Sequence, residues 1–446
     1  MHGAARVRRR QRDRIVDLAA GVVGLGFGGT LGLAITSETS SALAAPGGIA
    51  TAVGRVAGLA GAYAILVMVL LMARIPSLES AVGQDRLARW HRRIGPWPVI
   101  LIAIHASSIT LGYAQSARTG FLHEAWILLN SYPDVLAATV GFALLVMVAV
   151  ISVRIARNQL RYETWWTVHL YVYLALALAF AHQIVTGVPF VGHPLARIVW
   201  TCAWAATGGT VLVYRVGLPV WRSVRHQLRV VAIQPEAPGV VSIVCSGRNL
   251  DRLVVEGGQF FQWRFLTKGL WWQAHPYSLS ALPLPPYIRV TVRAAGDHSR
   301  SLAAIPRGTR VAIEGPYGAF TSRQRRTERV LLVGAGVGVT PLRAMLEDLP
   351  PHVDAAVIVR SSHADDLVLH NELTQLVEAR AGTLHELIGP RSAVKLDFHL
   401  VRKLVPDIRR RDVYVCGPDG FADRFVSIAR KLGVAEERIH REQFTF

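Results

Sequence analysis

Residues 164–188, TWWTVHLYVYLALALAFAHQIVTGV, form a run of 25 residues without Asp, Glu, Lys or Arg. At about 1.5 Å per residue this run is long enough to cross a hydrocarbon core of about 30 Å with some tilt, so it reads as a transmembrane helix. His169 and His182 lie inside it. An ionisable side chain at bilayer depth is costly and marks a candidate functional position. A second run, residues 94–113, is uncharged apart from His105, and His91 sits in the basic segment just before it. The histidines are 13 residues apart in the first case and 14 in the second. If both helices cross in the same direction, the four imidazoles form two pairs at two depths, about 20 Å apart. Each pair offers two axial nitrogens to a flat cofactor such as haem. A lone intramembrane histidine is as readily an interhelical hydrogen bond, and it is the matched spacing of four that favours haem. At about 100° per residue, however, 13 positions leave His182 about 140° from His169, so a tilt, kink or bulge has to bring it round.

The net charge of +19 invites a nucleic-acid reading, but the placement of the charge excludes it. Arginines gather in residues 1–14 (six), 74–93 (five), 154–163 (three) and 215–229 (four), whereas the alternate loops and span edges hold only Arg55, Arg118 and Arg197. This is the positive-inside alternation of a multi-pass membrane protein. It predicts a plasma-membrane protein with both termini in the cytoplasm, membrane lipid as a partner and no nucleic acid. The three cysteines, Cys202, Cys245 and Cys416, contain no CxxC. They exclude a disulfide framework and an iron–sulfur cluster held by four thiolates. The first apolar run, residues 18–37, is too long for a cleavable signal sequence and is followed by five more.

Six spans are expected, at residues 15–36, 49–73, 94–113, 135–153, 164–188 and 198–214. Arg55 lies near the outer end of the second and Arg74 closes it. Such cations either snorkel or meet an acidic group of a cofactor. From His226 the texture changes to short β-type runs separated by Gly/Pro turns, as in an antiparallel barrel. After Glu328 strands alternate with helices, the pattern of a parallel α/β nucleotide-binding domain. The expected order is a basic N-terminus (1–14), a membrane α-helical bundle of six spans (15–217), an antiparallel β-barrel domain (226–325) and a parallel α/β domain (328–446).

Three motifs follow in the second half. The first is His275-Pro276-Tyr277-Ser278-Leu279-Ser280, where an aromatic ring can pack on a flavin and hydroxyls and backbone N–H groups can hold its polar edge. Downstream, Arg293, Gly296 and Ser299 are placed to meet a pyrophosphate through a guanidinium, a tight turn and a hydroxyl. The second motif runs from Gly334 to Pro341, GAGVGVTP, directly after a strand. Gly334, Gly336 and Gly338 let the backbone approach a pyrophosphate at a helix N-terminus, with Thr340 and Pro341 in the first turn. The third is Cys416-Gly417-Pro418 at a strand end, with the chain closing on Glu442 and Phe446. A buried cysteine is more often packing than chemistry, and a terminal aromatic is more often frayed.

The combination resembles the NADPH oxidase and ferric reductase family, whose cytoplasmic half is similar to ferredoxin–NADP reductase. The resemblance covers about residues 49–446. It implies that His91 and His169 ligate an inner haem b and His105 and His182 an outer one, with Arg55 and Arg74 on the propionates. It also implies that residues 275–280, Arg293 and Ser299 bind FAD and that GAGVGVTP binds the nicotinamide nucleotide. Arg360 and Ser361 then lie where relatives take the 2′-phosphate of NADPH, without which NADH serves. Cys416 and Glu442 would flank the nicotinamide, and Phe446 would cover the flavin. The implied function is transfer of electrons from cytoplasmic NAD(P)H through FAD and two haems to a small extracytoplasmic acceptor, oxygen or ferric iron. One departure stands out: oxidases of this family carry a histidine four residues after the outer ligand, and here that residue is Ile109. The alternatives are a membrane-anchored flavin reductase serving a cytosolic redox partner, and a flavin redox sensor.

Overall fold

The computed structural model describes residues 2–132, 134–153, 157 and 162–442, so the terminal aromatic Phe446 lies outside the described residues. The chain divides into two compact units, residues 13–78 with 85–214, and residues 215–446 with 1–12 and 79–84.

The first unit is helical. Its elements are α1 (His2–Thr36), α2 (Gly48–Leu71), α3 (Gln84–Ile94), α4 (Pro96–Ala117), α5 (Val135–Ser152), α6 (Tyr162–His169), α7 (Tyr171–Thr186) and α8 (Pro194–Leu212). Among the described residues five stretches are long and apolar enough to cross a membrane: Asp13–Thr36, Gly48–Leu71, Arg86–Ala117, Val135–Ser152 and Thr164–Thr186. The sixth expected span is helical, as α8, but is not one of these five. Arg197 in its first turn and the threonines Thr201, Thr207 and Thr210 dilute its apolar character.

Close approach of helices explains the glycines. Gly54, Gly58 and Gly61 lie at i, i+4 and i+7 on one face of α2, the spacing that lets backbones meet in lipid. A Cβ on them would stand 2.8 Å from Ile109 Cγ1, 2.6 Å from His105 Nδ1 and 2.9 Å from Ile102 Cδ1, so α4 lies directly against that face. Gly141 of α5 plays the same part against α7, where a Cβ would stand 2.7 Å from the Ala175 carbonyl oxygen.

Both histidine-bearing stretches are interrupted. Between α3 and α4 the hydrogen-bond ladder is broken after Gly95, where Pro96 and Pro98 lack the N–H groups to continue it. Between α6 and α7 the Leu170 N–H is shared between the carbonyls of Trp166 and Thr167, each at 3.2 Å, and Tyr173 N–H reaches back to Leu170 at 3.0 Å. Tightened turns of this kind advance about 120° per residue instead of about 100°. The overwinding reduces the 140° offset expected between His169 and His182.

The second unit starts with α9 (Leu218–His226) and continues with β1 (Arg229–Ala237), β2 (Val240–Ser246), β3 (Phe260–Phe265), β4 (His275–Ser278), β5 (Tyr287–Arg293) and β6 (Val311–Tyr317). These strands form two three-stranded antiparallel sheets, ordered β1-β2-β5 and β4-β3-β6. Isolated bridges at Arg229/Arg310 and Leu279/Val290 link them. β4 is only four residues long and carries Pro276, which has no N–H with which to extend pairing. Phe261, Trp263 and Phe265 are fully buried between the sheets with Val230, Ile243 and Ile288. A five-stranded parallel sheet follows, built from β7 (Arg329–Ala335), β8 (Asp354–Ser361), β9 (Thr383–Ile388), β10 (Asp412–Cys416) and β11 (Ile439–Glu442) in the order β11-β10-β7-β8-β9. The helices α10 (Val339–Asp348), α11 (His370–Glu378), α12 (Phe398–Leu404) and α13 (Asp419–Lys431) accompany it. Asp412, fully buried, accepts hydrogen bonds from the backbone N–H of Arg326 (2.9 Å) and of Thr327 (2.7 Å), fixing the entry to β7.

Candidate functional site

In the helical unit the four histidines meet as two pairs. The rings of His91 and His169 have centres 6.2 Å apart, and those of His105 and His182 have centres 6.3 Å apart. A metal–imidazole bond is about 2 Å long and the ring centre lies about 1 Å beyond the nitrogen, so two imidazoles gripping one metal from opposite sides have centres about 6 Å apart. Both pairs have that separation.

The tautomers can be derived from the partners. His91 Nδ1 is 3.3 Å from the Met68 carbonyl and His105 Nδ1 is 2.8 Å from the Gly54 carbonyl; a carbonyl only accepts, so both Nδ1 atoms carry the proton. His182 Nδ1 is 2.9 Å from Thr186 Oγ1, whose own proton goes to the His182 carbonyl at 2.7 Å. His169 Nδ1 is 3.2 Å from Ser152 Oγ, whose proton goes to the Val148 carbonyl at 2.7 Å. Each hydroxyl can therefore only accept from the ring. All four rings hold the proton on Nδ1 and keep the Nε2 lone pair for a ligand, the arrangement that orients metal-bound histidines. Among the described residues no group of three or more His, Cys, Asp or Glu is placed to hold a bare ion. Two nitrogens from opposite sides suit a metal whose remaining ligands come from a macrocycle. Arg55 is engaged elsewhere, through Nη1 to the two carboxylate oxygens of Glu38 at 2.9 and 3.0 Å. Arg74 lies just past α2 in the left-handed region, with φ 62°.

In the second unit the HPYSLS residues divide by role. Tyr277 is clamped through its carbonyl, which accepts from Trp263 Nε1 at 3.1 Å. Ser280 Oγ accepts from Arg289 Nε at 3.2 Å, and Arg289 in turn grips Glu372 with two bonds of 2.6 and 2.7 Å, so that hydroxyl is structural. Ser278 Oγ is buried with no hydrogen-bond partner among the described residues. An orphaned buried hydroxyl in this motif fits a flavin edge. Ser299 Oγ closes its own turn, accepting from Ala295 N–H at 2.9 Å and Gly296 N–H at 3.0 Å, which shapes the loop after Arg293. Sequence reasoning missed His298. Its ring is centred 3.8 Å from that of His275, and its Nδ1 is 2.7 Å from Gln273 Oε1. Burial and the adjacent His275 push its pKa down to about 4.

The other two motifs converge at the carboxyl end of the parallel sheet. After β7 the chain continues outward through β8 and β9, and it then returns to lay β10 and β11 on the other side. The crevice beside β7 and β10 is thus the topological switch point where open α/β sheets bind ligands. GAGVGVTP leaves β7 there and Cys416-Gly417-Pro418 leaves β10, with Gly334 and Cys416 in register. Gly336 has φ 55°, the left-handed region that favours glycine, and a Cβ on Gly338 would run into the backbone of Cys416 and Gly417. Thr340 is buried and donates to the Val337 carbonyl at 2.9 Å, and Pro341 sits in the first turn of α10. Burial raises the Cys416 thiol well above its ordinary pKa, and the Glu442 carboxylate pushes the same way. Cys416 is therefore a neutral thiol packed under the crevice. Arg360 donates to the Leu387 carbonyl at 2.7 Å, and Ser361 Oγ donates to the His363 carbonyl at 2.8 Å. Burial and then the nearby guanidinium of Arg391 lower the Arg360 pKa. Arg391 is a second cation that the sequence reading did not name.

Helices of membrane-crossing length joined to an FAD-binding half define the class: a membrane-embedded flavin oxidoreductase. Residues 57–180 match the family described as ferric reductase like transmembrane component, and residues 228–321 match the one described as FAD-binding domain. The chain thus carries a ferric-reductase-like transmembrane component followed by an FAD-binding domain, the pairing that the resemblance to the NADPH oxidase and ferric reductase family implies. A Mycobacterium tuberculosis protein named NADPH oxidoreductase is 26% identical over 240 residues, covering 51% of this chain and 62% of that protein. A flavohemoprotein of Deinococcus radiodurans is 29% identical over 280 residues, covering 54% of this chain and 67% of that protein. The chain therefore spans about three fifths to two thirds of the length of these curated relatives. Among solved structures, the FAD/NAD-binding domain of a nitric oxide dioxygenase from Vibrio cholerae matches with 24% identity and a TM-score of 0.42, over 49% of this chain and 98% of that one.

The His298 environment has a consequence for acid stability. In the folded chain the ring stays neutral down to about pH 4, whereas unfolded it titrates at its usual 6.5. Between those values the unfolded state binds the extra proton, so stability falls as pH drops from about 6.5 to about 4. The melting temperature of the full-length protein should fall over that window, and His298→Gln should flatten the slope. An unchanged slope would remove His298 as its source.

Proposed function

We propose that the protein moves electrons across the plasma membrane, from NAD(P)H on the cytoplasmic side to a small acceptor outside. Both termini lie in the cytoplasm in this reading, and α8 serves as the sixth span. His91 and His169 would hold an inner b-type haem, and His105 and His182 an outer one. The observation that carries the reading is the geometry of the two pairs: ring centres 6.2 and 6.3 Å apart, with every Nδ1 engaged. When bound, FAD would accept a hydride from the nicotinamide and pass its electrons on singly, as haem iron requires.

The chain's own residues do the rest. Ser278 would offer a hydroxyl to the flavin, Tyr277 would pack on its ring, and Arg293 would meet the FAD pyrophosphate. The turn at Gly336 and Gly338 presents backbone N–H groups to the nucleotide pyrophosphate. Arg360 and Arg391 together favour a 2′-phosphate, and so NADPH over NADH. Arg74 is the inner propionate partner; Arg55 would serve the outer one only by leaving Glu38. Ile109, which packs against α2 at Gly54, stands where oxidases of this family carry a histidine, and the acceptor in this reading is oxygen or ferric iron.

His105→Ala should abolish reduction of a membrane-impermeant ferric chelate at the outer face while NAD(P)H oxidation by artificial cytoplasmic acceptors continues. Undiminished outer-face reduction would end the relay model. Gly58→Ala places a methyl group 2.6 Å from His105 Nδ1 and should cost the outer haem alone, read as loss of about half the b-type absorbance. Full retention of that absorbance would mean that α2 does not position His105.

A further inference from the structure

A cavity of about 640 Å³ lies in the second unit between α9 and the β4-β3-β6 sheet, and none of the flavin or nucleotide residues named above lines it. Its walls are mostly apolar, with Val220 and Val224 of α9 on one side. Four arginines line it, Arg215, Arg229, Arg264 and Arg310, with Arg229 Nη1 also donating to the Gly308 carbonyl at 3.1 Å, against one carboxylate, Glu314. Glu314 is already occupied, by Arg215 Nη1 at 2.9 Å and the Tyr317 hydroxyl at 2.7 Å. Arg229 and Arg310 stand opposite each other across an antiparallel bridge, and Arg264 lies on β3 opposite Ala312 of β6. Like charges directly across a bridge repel, and among the described residues no carboxylate is paired with any of these three. Apolar walls with three unbalanced guanidiniums select an amphiphilic anion.

The position of the cavity in the chain says which one. α9 is separated from α8 only by the five-residue π-helical turn Val213–Gly217. Val220, Trp221 and Val224 are 56%, 53% and 65% exposed, and Arg225 stacks on Trp221 at 5.0 Å. A short helix that follows a span and exposes aliphatic and tryptophan side chains beside arginines is built for the lipid headgroup zone. Basic pockets at that level take acidic headgroups.

We propose that this cavity binds an acidic phospholipid of the cytoplasmic leaflet, with its phosphate held by Arg229, Arg264 and Arg310 and its acyl chains along the α9 wall. The site rests on the orientation given under Proposed function, with the second unit on the cytoplasmic side. The test uses full-length protein in nanodiscs of phosphatidylcholine, titrated with phosphatidylglycerol and read by native mass spectrometry of retained lipid. Each cation near an anionic surface is worth roughly fivefold, so Arg264→Gln with Arg310→Gln should weaken phosphatidylglycerol retention roughly 25-fold. Haem and FAD content and NAD(P)H oxidation in phosphatidylcholine should stay unchanged. The charge-retaining pair Arg264→Lys with Arg310→Lys should recover most of the retention. Equal retention by wild type and the glutamine variant, failure of the lysine pair to recover, or displacement of the lipid by millimolar inorganic phosphate would each overturn the site. Loss of the haem signal in wild type would instead overturn the relay and leave the lipid titration standing.

Discussion

Four imidazole N–H groups inside an apolar bundle, each committed to an oxygen, are the constraint on which the helical unit depends. A polar ring nitrogen without a partner in hydrocarbon costs several kcal/mol, so each Nδ1 has to be supplied. Two are supplied by carbonyls at Met68 and Gly54 and two by hydroxyls at Ser152 and Thr186. The four bonds orient the rings pairwise and leave Nε2 of each open to a ligand. The glycine face of α2 follows from the same need, because the Gly54 carbonyl reaches His105 only if α4 comes within backbone distance.

The second unit solves a different problem, which is to bring sequence-distant turns to one crevice. The parallel order of β10, β7 and β8 puts the ends of β7 and β10 side by side, and the absence of a side chain at Gly338 lets the nucleotide loop lie on the Cys416–Gly417 backbone. The arginine pair near the end of β8 and the orphaned Ser278 hydroxyl add charge and a polar contact, one for each cofactor.

Much of this was legible in the chain. The charge-free runs marked the five helices of membrane-crossing length, and the spacing of His91, His105, His169 and His182 pointed to the ring pairs, because depth along a helix follows directly from helical rise. What was hidden depends on contacts between distant segments. Thr186 lies one turn after His182 and was open to a periodicity argument, whereas Ser152 approaches His169 from another helix and left no local trace. The overwound turn at Leu170 narrows the offset left by the 13-residue spacing, and no residue type there announces it. Glu38 captures Arg55 from outside the span, a partner set by tertiary structure, whereas Ser299 closes onto Ala295 and Gly296 of its own loop. The alternating strands announced antiparallel pairing, but not that they sort into two sheets joined by bridges at Arg229/Arg310 and Leu279/Val290, because those contacts lie between distant segments.

The most direct test of paired imidazoles as metal sites is a reduced-minus-oxidised spectrum of the purified full-length protein, combined with its haem-to-FAD ratio. The account predicts b-type bands and a ratio of about two haems per FAD. A preparation that binds FAD fully yet holds no haem, or only one, would contradict it.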